Sequence, residues 1–146
     1  NPKHLPLVYA LLFGMPGIPC IYYGSEWGAE GEKHQGDDAL RPSFEAPAWN
    51  ELTDWIAALA KAHKESKALC YGDFKQVVLT NKQCIWERIF EDERVLVAVN
   101  IDEQPYTAHF DAKCGMAVDL ITGKPHDFGG GSELPPYSAY FWKCER

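Results

Sequence analysis

MPGIPCIYYGSEWG, residues 15–28, decides how the rest of the chain is read. Ile18, Cys20, Ile21, Tyr22 and Tyr23 stand between proline and glycine residues on both sides. A short apolar run bounded by turn residues reads as a strand buried on both faces, here over 18–23. Such strands belong to parallel sheets covered by helices, and the flanking sequence has helical spacing. Upstream, HLPLVYALLF (residues 4–13) is apolar all round, the pattern of a helix covered on several sides. Pro6 fits only its first turn, and Gly14 and Pro16 end it. No second strand of the 18–23 kind occurs in the chain. A parallel strand without parallel neighbours marks the chain as part of something larger.

Downstream, residues 25–48 turn to Gly, His and charged residues and read as a long loop beyond the carboxyl end of that strand. In α/β folds this is the ligand-binding end, and loops of this length are commonly functional. Its chemically capable residues are Glu26, Trp27, Asp37, Asp38 and Arg41. Residues 50–65 then read as an amphipathic helix. Asn50 is the N-cap, Leu52, Ile56, Leu59, Ala60 and His63 form the apolar face, and Lys61 and Lys64 lie toward the C-terminal end.

After Lys67 the period changes from 3.6 to 2. Strands are expected over 73–80, 84–90, 95–101, 106–110, 116–119 and 138–144. Turns are expected at Asn81-Lys82, at 91–93, at 122–124 and at 129–132. Short strands at this spacing predict an antiparallel β-sandwich. The expected division is residues 1–66, a helix–strand–helix segment, and residues 67–146, the sandwich.

The 146 residues carry a net charge of −7, which excludes the basic footprint of a nucleic-acid binder. Five cysteines, Cys20, Cys70, Cys84, Cys114 and Cys144, include no C-x-x-C pair. They read as free thiols of a reducing, cytoplasmic compartment rather than as a zinc or redox motif. No metal or cofactor is expected, since neither His34 nor His63 has a ligand at i+3 or i+4. No targeting or membrane-spanning segment is visible, and a chain opening on Asn1 is expected to be a truncated or processed product.

MPGIPCIYYG followed by a Gly-rich acidic loop with Asp-Asp-x-x-Arg resembles the eighth barrel strand and following loop of the α-amylase family of glycoside hydrolases. LTDWIAALAKAHKESKALCYGDF is similar to that family's last barrel helix and the start of its C-terminal β domain, and WERIFEDERVLVAVNID to that domain's paired central strands. The resemblance is strongest to the cyclomaltodextrinase, neopullulanase and maltogenic amylase branch. It implies a (β/α)₈ barrel with a nucleophile, an acid/base and a transition-state stabiliser on strands upstream of Asn1. The chain itself is then expected to contain no catalytic residue and to be inactive alone.

The resemblance also implies that Asp37 and Arg41 bind sugar hydroxyls in the intact enzyme. A carboxylate and a planar guanidinium each suit paired hydrogen bonds to vicinal hydroxyls; a solvated loop ion pair is the alternative. Ser25, Trp27 and Pro42-Ser43-Phe44 depart from the commonest family pattern. Glu26 is read as structural. Trp86, Tyr137, Tyr140, Phe141 and Trp142 are read as sandwich core rather than a sugar-stacking platform. The expected partners are an α-glucan oligosaccharide, the upstream barrel and a possible second copy of the chain. Without their neighbours, residues 18–23 and the helix before them are expected to fold back on Leu52, Ile56 and Leu59, to pair with a second copy, or to lose strand form.

Overall fold

A computed structural model describes residues 1–145. Four helices, α1 (Leu5–Gly14), α2 (Asp37–Leu40), α3 (Glu51–Glu65) and α4 (Lys67–Tyr71), precede eight strands. These are β1 (Asp73–Leu79), β2 (Gln83–Phe90), β3 (Glu93–Asn100), β4 (Tyr106–Ala108), β5 (Met116–Asp119), β6 (Pro125–Asp127), β7 (Ser132–Leu134) and β8 (Ser138–Cys144).

The run VLVAVN, residues 95–100, is buried at every position, so alternate residues of β3 face two different cores. Val95, Val97 and Val99 join Trp86, Ala139 and Phe141 against α1 and α3. Leu96 and Ala98 join Ile85, Ala117 and Trp142 against Ala108 and Leu134. The main sheet has the order β1-β2-β3-β8-β5-β6, and β4 pairs with β7 in a second, two-stranded sheet. All of the described pairings are antiparallel. The sandwich expected from the period-2 pattern is thus present, with its outer layers unequal. Helices cover one face of the long sheet and two short strands cover the other. Burying one valine or leucine contributes about 1.5–3 kcal/mol, so β3, which buries Val95, Leu96, Val97 and Val99, is heavily stabilised.

Two short strands that the sequence pattern does not reveal, β6 and β7, follow the turns expected at 122–124 and 129–132. Each has three residues, too few for alternation to show.

The strand expected over 18–23 does not form. Residues 18–22 have no regular structure, and Ile18 is 96% exposed. A strand needs a partner for its backbone N–H and C=O groups. Among the described residues none runs beside this segment, and Pro16 and Pro19 supply no N–H. Helix α1 forms, but it is covered on one side only. Leu7, Tyr9, Ala10 and Phe13 are buried, whereas Val8 is exposed.

Helix α3 starts at an Asn50 cap: Oδ1 accepts from the Thr53 N–H, and Thr53 Oγ1 accepts from the Asn50 N–H. It lies parallel to α1, tied at two levels about two turns apart. Trp55 Nε1 donates to the Pro6 carbonyl at 2.8 Å, and His63 Nδ1 meets the Phe13 carbonyl at 2.9 Å. His63 is therefore a helix-pairing residue.

Helix α1 is fastened to the sheet through its last carbonyl. Gly14 O accepts from Trp86 Nε1 at 2.9 Å and from Arg88 Nη1 at 3.0 Å. Arg88 also donates to the carbonyls of Gly72 at 3.0 Å and Asp73 at 3.2 Å, so it gathers the ends of α1 and α4 on β2. Arg88 is 1% exposed, and burial lowers its pKa. A cation at a helix C-terminus is favoured by the exposed carbonyls there. A Cβ on Gly14 would stand 2.8 Å from Val97 Cγ1, so this close approach requires glycine. Gly14→Ala should lower stability by about 1–3 kcal/mol, the usual cost of overpacking, read by urea unfolding.

Glu93 performs the corresponding task at the start of α4. Its Oε2 accepts from Ser66 Oγ at 2.8 Å and from the Ala68 N–H at 2.6 Å, and its Oε1 lies 3.2 Å from Lys143 Nζ. Burial acts to raise its pKa, but the Ala68, Ser66 and Lys143 contacts outweigh burial and hold it below the ordinary glutamate value. A depressed carboxylate pKa adds stability above the unfolded pKa of about 4.3, and this is lost as pH falls through the folded value. Wild-type chain should therefore lose more stability than Glu93→Gln between about pH 5 and pH 3 in urea melts. Equal losses would show that the Glu93 contacts do not contribute.

Candidate functional site

The segment after α1 is anchored at its far end. Tyr9 Oη donates to Ser25 Oγ at 2.6 Å, Thr53 Oγ1 donates to the Glu26 carbonyl at 2.9 Å, and Asn50 Nδ2 donates to the Trp27 carbonyl at 2.9 Å. Helices α1 and α3 thereby fix the turn over 25–27. Gly24 has φ +85°, and a Cβ there would lie 2.8 Å from the Phe44 ring, so glycine is required on both counts.

Four aromatic rings surround this turn. Tyr22 and Tyr23 have centroids 4.9 Å apart, Phe44 meets Tyr23 edge-on at 6.1 Å, and Phe44 meets Trp27 edge-on at 5.2 Å. Tyr22, Tyr23, Ser25, Glu30, Leu40 and Pro42 help to line a cavity of about 220 Å³. Asp37 and Arg41 sit at the two ends of α2 beside it, where the Arg41 N–H donates to the Asp37 carbonyl at 3.0 Å. Both side chains are exposed, and among the described residues they form no ion pair with one another. Burial, followed by the neighbouring Tyr22, raises the pKa of Tyr23, while the Arg41 charge acts to lower it. The aromatic rings and the one-turn helix that carries Asp37 and Arg41 therefore lie side by side, the Tyr22 hydroxyl donating to the Leu40 carbonyl at 3.4 Å. This combination can stack against a sugar ring and bond its hydroxyls.

Tyr22 and Tyr23 are the candidate-site residues that the sequence pattern places elsewhere, inside a buried strand. Their hydrophobicity carries that assignment. The signal that could have moved them to the site is their position immediately before the Gly24 turn.

Glu26 holds its place through its backbone carbonyl. Its side-chain Oε2 is buried and, among the described residues, has no hydrogen-bond partner. An unpartnered carboxylate oxygen destabilises the fold. Glu26→Gln should leave the stability of this chain unchanged or raise it by up to about 1 kcal/mol. A loss above that in thermal melts would mean that the charge already has a compensating partner.

The aromatic stripe of the β part is mostly core. Trp86 and Phe141 are buried. Trp142 is 1% exposed and is stacked by His126 at 4.2 Å and by Tyr140 at 5.1 Å. Tyr137 and Tyr140 are half-buried. His34 is exposed and lies 2.9 Å from Glu32. Among the described residues no group of three or more His, Cys, Asp or Glu side chains could hold a metal ion.

No family model matches the chain. It is 30% identical over 133 residues to a cyclomaltodextrin glucanotransferase of Niallia circulans, a match covering 90% of this chain and 17% of that protein. It is 32% identical over 102 residues to an α-amylase of Niallia circulans, covering 68% of this chain and 19% of the relative. The solved structure of an Anoxybacillus α-amylase superposes with a TM-score of 0.89 at 24% identity, over 99% of this chain and 33% of that one. The last likeness is one of fold. The chain spans less than a fifth of the length of these two sequence relatives. Together the sequence relatives and the shared fold support kinship with the α-amylase family.

Proposed function

We propose that the chain is the C-terminal part of an α-amylase-family glycoside hydrolase. The parent would cleave α-1,4-glucosidic bonds of maltooligosaccharides, cyclodextrins or starch-like glucans with retention of configuration. It would belong to the cyclomaltodextrinase, neopullulanase and maltogenic amylase branch, and its site of action would be the cytoplasm. Residues 1–66 would complete the catalytic barrel. Residues 67–146 would brace it through the contacts of α1 and α3 with the long sheet. Asp37 and Arg41 would bind sugar hydroxyls at the rim of the cleft.

The observation that carries this reading is the match of 90% of the chain to a small part of a glucan-acting relative. It is supported by the exposed apolar surface of Val8, Met15, Ile18, Tyr22 and Tyr23, which lies along α1 and the segment after it. Apolar patches of this kind mark surfaces built to be covered, and the upstream barrel of the same polypeptide is the expected cover. Retaining glycoside hydrolysis needs two carboxyl groups about 5–5.5 Å apart across the scissile bond. Asp37 and Asp38 both stand exposed on a one-turn helix, without the apolar surroundings that turn a carboxyl into a general acid.

The chain alone should therefore release no sugar from a chromogenic maltoside. The full-length parent should release it, and Arg41→Ala in the parent should raise KM about tenfold or more. Release by the chain alone that disappears in Asp37→Ala would overturn the assignment. An autonomous α-glucan-binding module is the rival, and the burial of Trp86, Phe141 and Trp142 weighs against it. Titration with β-cyclodextrin, followed by tryptophan fluorescence, separates the two. Saturation below about millimolar ligand favours the module, and a flat response favours the bracing role.

A further inference from the structure

The turn leading into β5 and the end of β8 each carry a cysteine, and the two thiols meet at one arginine. Arg94 Nη1 lies 3.3 Å from Cys144 Sγ and 4.0 Å from Cys114 Sγ. The guanidinium is itself held in place. Its Nε donates to Glu87 Oε2 at 2.5 Å, and Nη1 also donates to the Ala112 carbonyl. Both cysteines are free and half-buried, and both pack against the same core as Ala117 and Trp142. The remaining thiols lie elsewhere: Cys84 packs against the opposite core, Cys70 donates to the His63 carbonyl, and Cys20 is exposed in the segment after α1.

From this arrangement we infer that Cys114 and Cys144 form a redox-active dithiol, closed to a disulfide by exchange with a small-molecule disulfide such as oxidised glutathione. The Cys114 thiolate attacks one sulfur of the oxidant, the sulfur–sulfur bond of the oxidant breaks, and one small thiolate leaves. Cys144 then attacks Cys114 Sγ in the mixed disulfide. The second small thiolate leaves, and the two protons lost by the cysteines pass to the two departing thiolates. Two protein S–H bonds and one S–S bond are exchanged for one protein S–S bond and two small-molecule S–H bonds. The cysteine sulfurs are oxidised by two electrons and the oxidant is reduced by two.

The order of attack follows from position. Asp111, Lys113 and Gly115 flank Cys114 and are all exposed, so an oxidant reaches that sulfur from the turn. Burial, followed by the neighbouring Cys114 thiol, pushes the Cys144 thiol up to about 12, so it keeps its proton until the mixed disulfide forms beside it. Once closed, the bond ties β8 to the turn at 111–115 across about 30 residues of chain, and a cross-link of that span restricts the unfolded state.

The test uses the whole chain, incubated with excess oxidised glutathione, quenched with iodoacetamide and analysed by mass spectrometry. The expected result is a loss of two hydrogens and a trypsin fragment joining Cys114 to Cys144. The melting temperature should rise by roughly 5 °C or more and return to its starting value on treatment with dithiothreitol. Cys144→Ser should stop at a glutathione adduct on Cys114, whereas Cys84→Ser should oxidise like the wild type. A glutathione adduct that persists on wild-type Cys114, a disulfide joining another pair, or five alkylated thiols after oxidation would each overturn the inference. Peptide mapping of the wild type distinguishes these outcomes even if a serine variant fails to fold.

Discussion

Arg88→Met lowers the unfolding free energy of this chain by about 3 kcal/mol, measured by urea denaturation. Methionine approximates the volume of the arginine stem, so the packing around β2 is retained and the change isolates the guanidinium. Gly14 O keeps its bond from Trp86 Nε1, whereas Gly72 O and Asp73 O lose their Arg88 donors. The buried Gly72 carbonyl left without a donor costs about 1–3 kcal/mol, and the part-buried Asp73 carbonyl adds less. Removing a buried cation returns part of that, since its desolvation opposes folding. Arg88→Lys should recover little, because one ammonium cannot span three carbonyls on two separate segments. A loss below about 1 kcal/mol would mean that water reaches these carbonyls and that Arg88 is not the clasp between the helices and the sheet.

Asn100→Asp has a comparable effect with a pH signature. Asn100 is fully buried, and its Nδ2 faces the carbonyls of Gln104, Leu134 and Pro135 at 3.0, 3.1 and 3.1 Å. Its Oδ1 accepts from Gln83 Nε2 and from the Asp102 N–H, each at 2.9 Å. In the variant a carboxylate oxygen replaces the amide nitrogen and confronts three acceptors. The charged form is disfavoured, so the folded pKa of the new carboxyl is raised above its unfolded value of about 3.9. Below about pH 3.9 the carboxyl is protonated in both states and the penalty is least. As pH rises from there to the raised folded value, the unfolded chain releases the proton first and stability falls. The gap to the wild type should widen from about pH 4 upward and reach about 3–5 kcal/mol at pH 7. Comparing the two proteins at each pH removes the acid sensitivity contributed by Glu93, which they share. A gap independent of pH would show that the cost comes from lost amide bonds alone.

The sequence announces most strongly those elements whose stability is local or whose burial alternates. Asn50 and the spacing of Ile56 and Leu59 specify α3 without reference to the rest of the chain, and residues 95–100 announce a strand, although its burial on both faces is seen only in the structure. The failure at 18–23 has the opposite origin. Apolarity there reports what the segment is suited to touch, whereas a strand requires a neighbouring ladder, which no local pattern supplies. The same misreading hides Tyr22 and Tyr23 from the candidate site, although the family resemblance points to Asp37 and Arg41 on the neighbouring helix. Strands β6 and β7 are illegible because three residues carry no period. The contacts of Arg88 with Gly14, Gly72 and Asp73 are invisible for another reason: a buried arginine satisfied by backbone carbonyls has no acidic partner in the sequence to reveal it.

The double use of the Gly14 carbonyl, by an indole and a guanidinium that both belong to β2, bears on how the molecule opens. Amide protons of α1 cannot exchange through detachment of the helix without freeing Trp86 and Arg88 together, and Arg88 in turn holds the segment that joins α4 to β1. The helical layer and the first hairpin are therefore expected to open as one cooperative unit. Protection in α1 should decay with denaturant along the same line as protection in β2 and β3, while the segment after Met15, which has no strand beside it, exchanges freely.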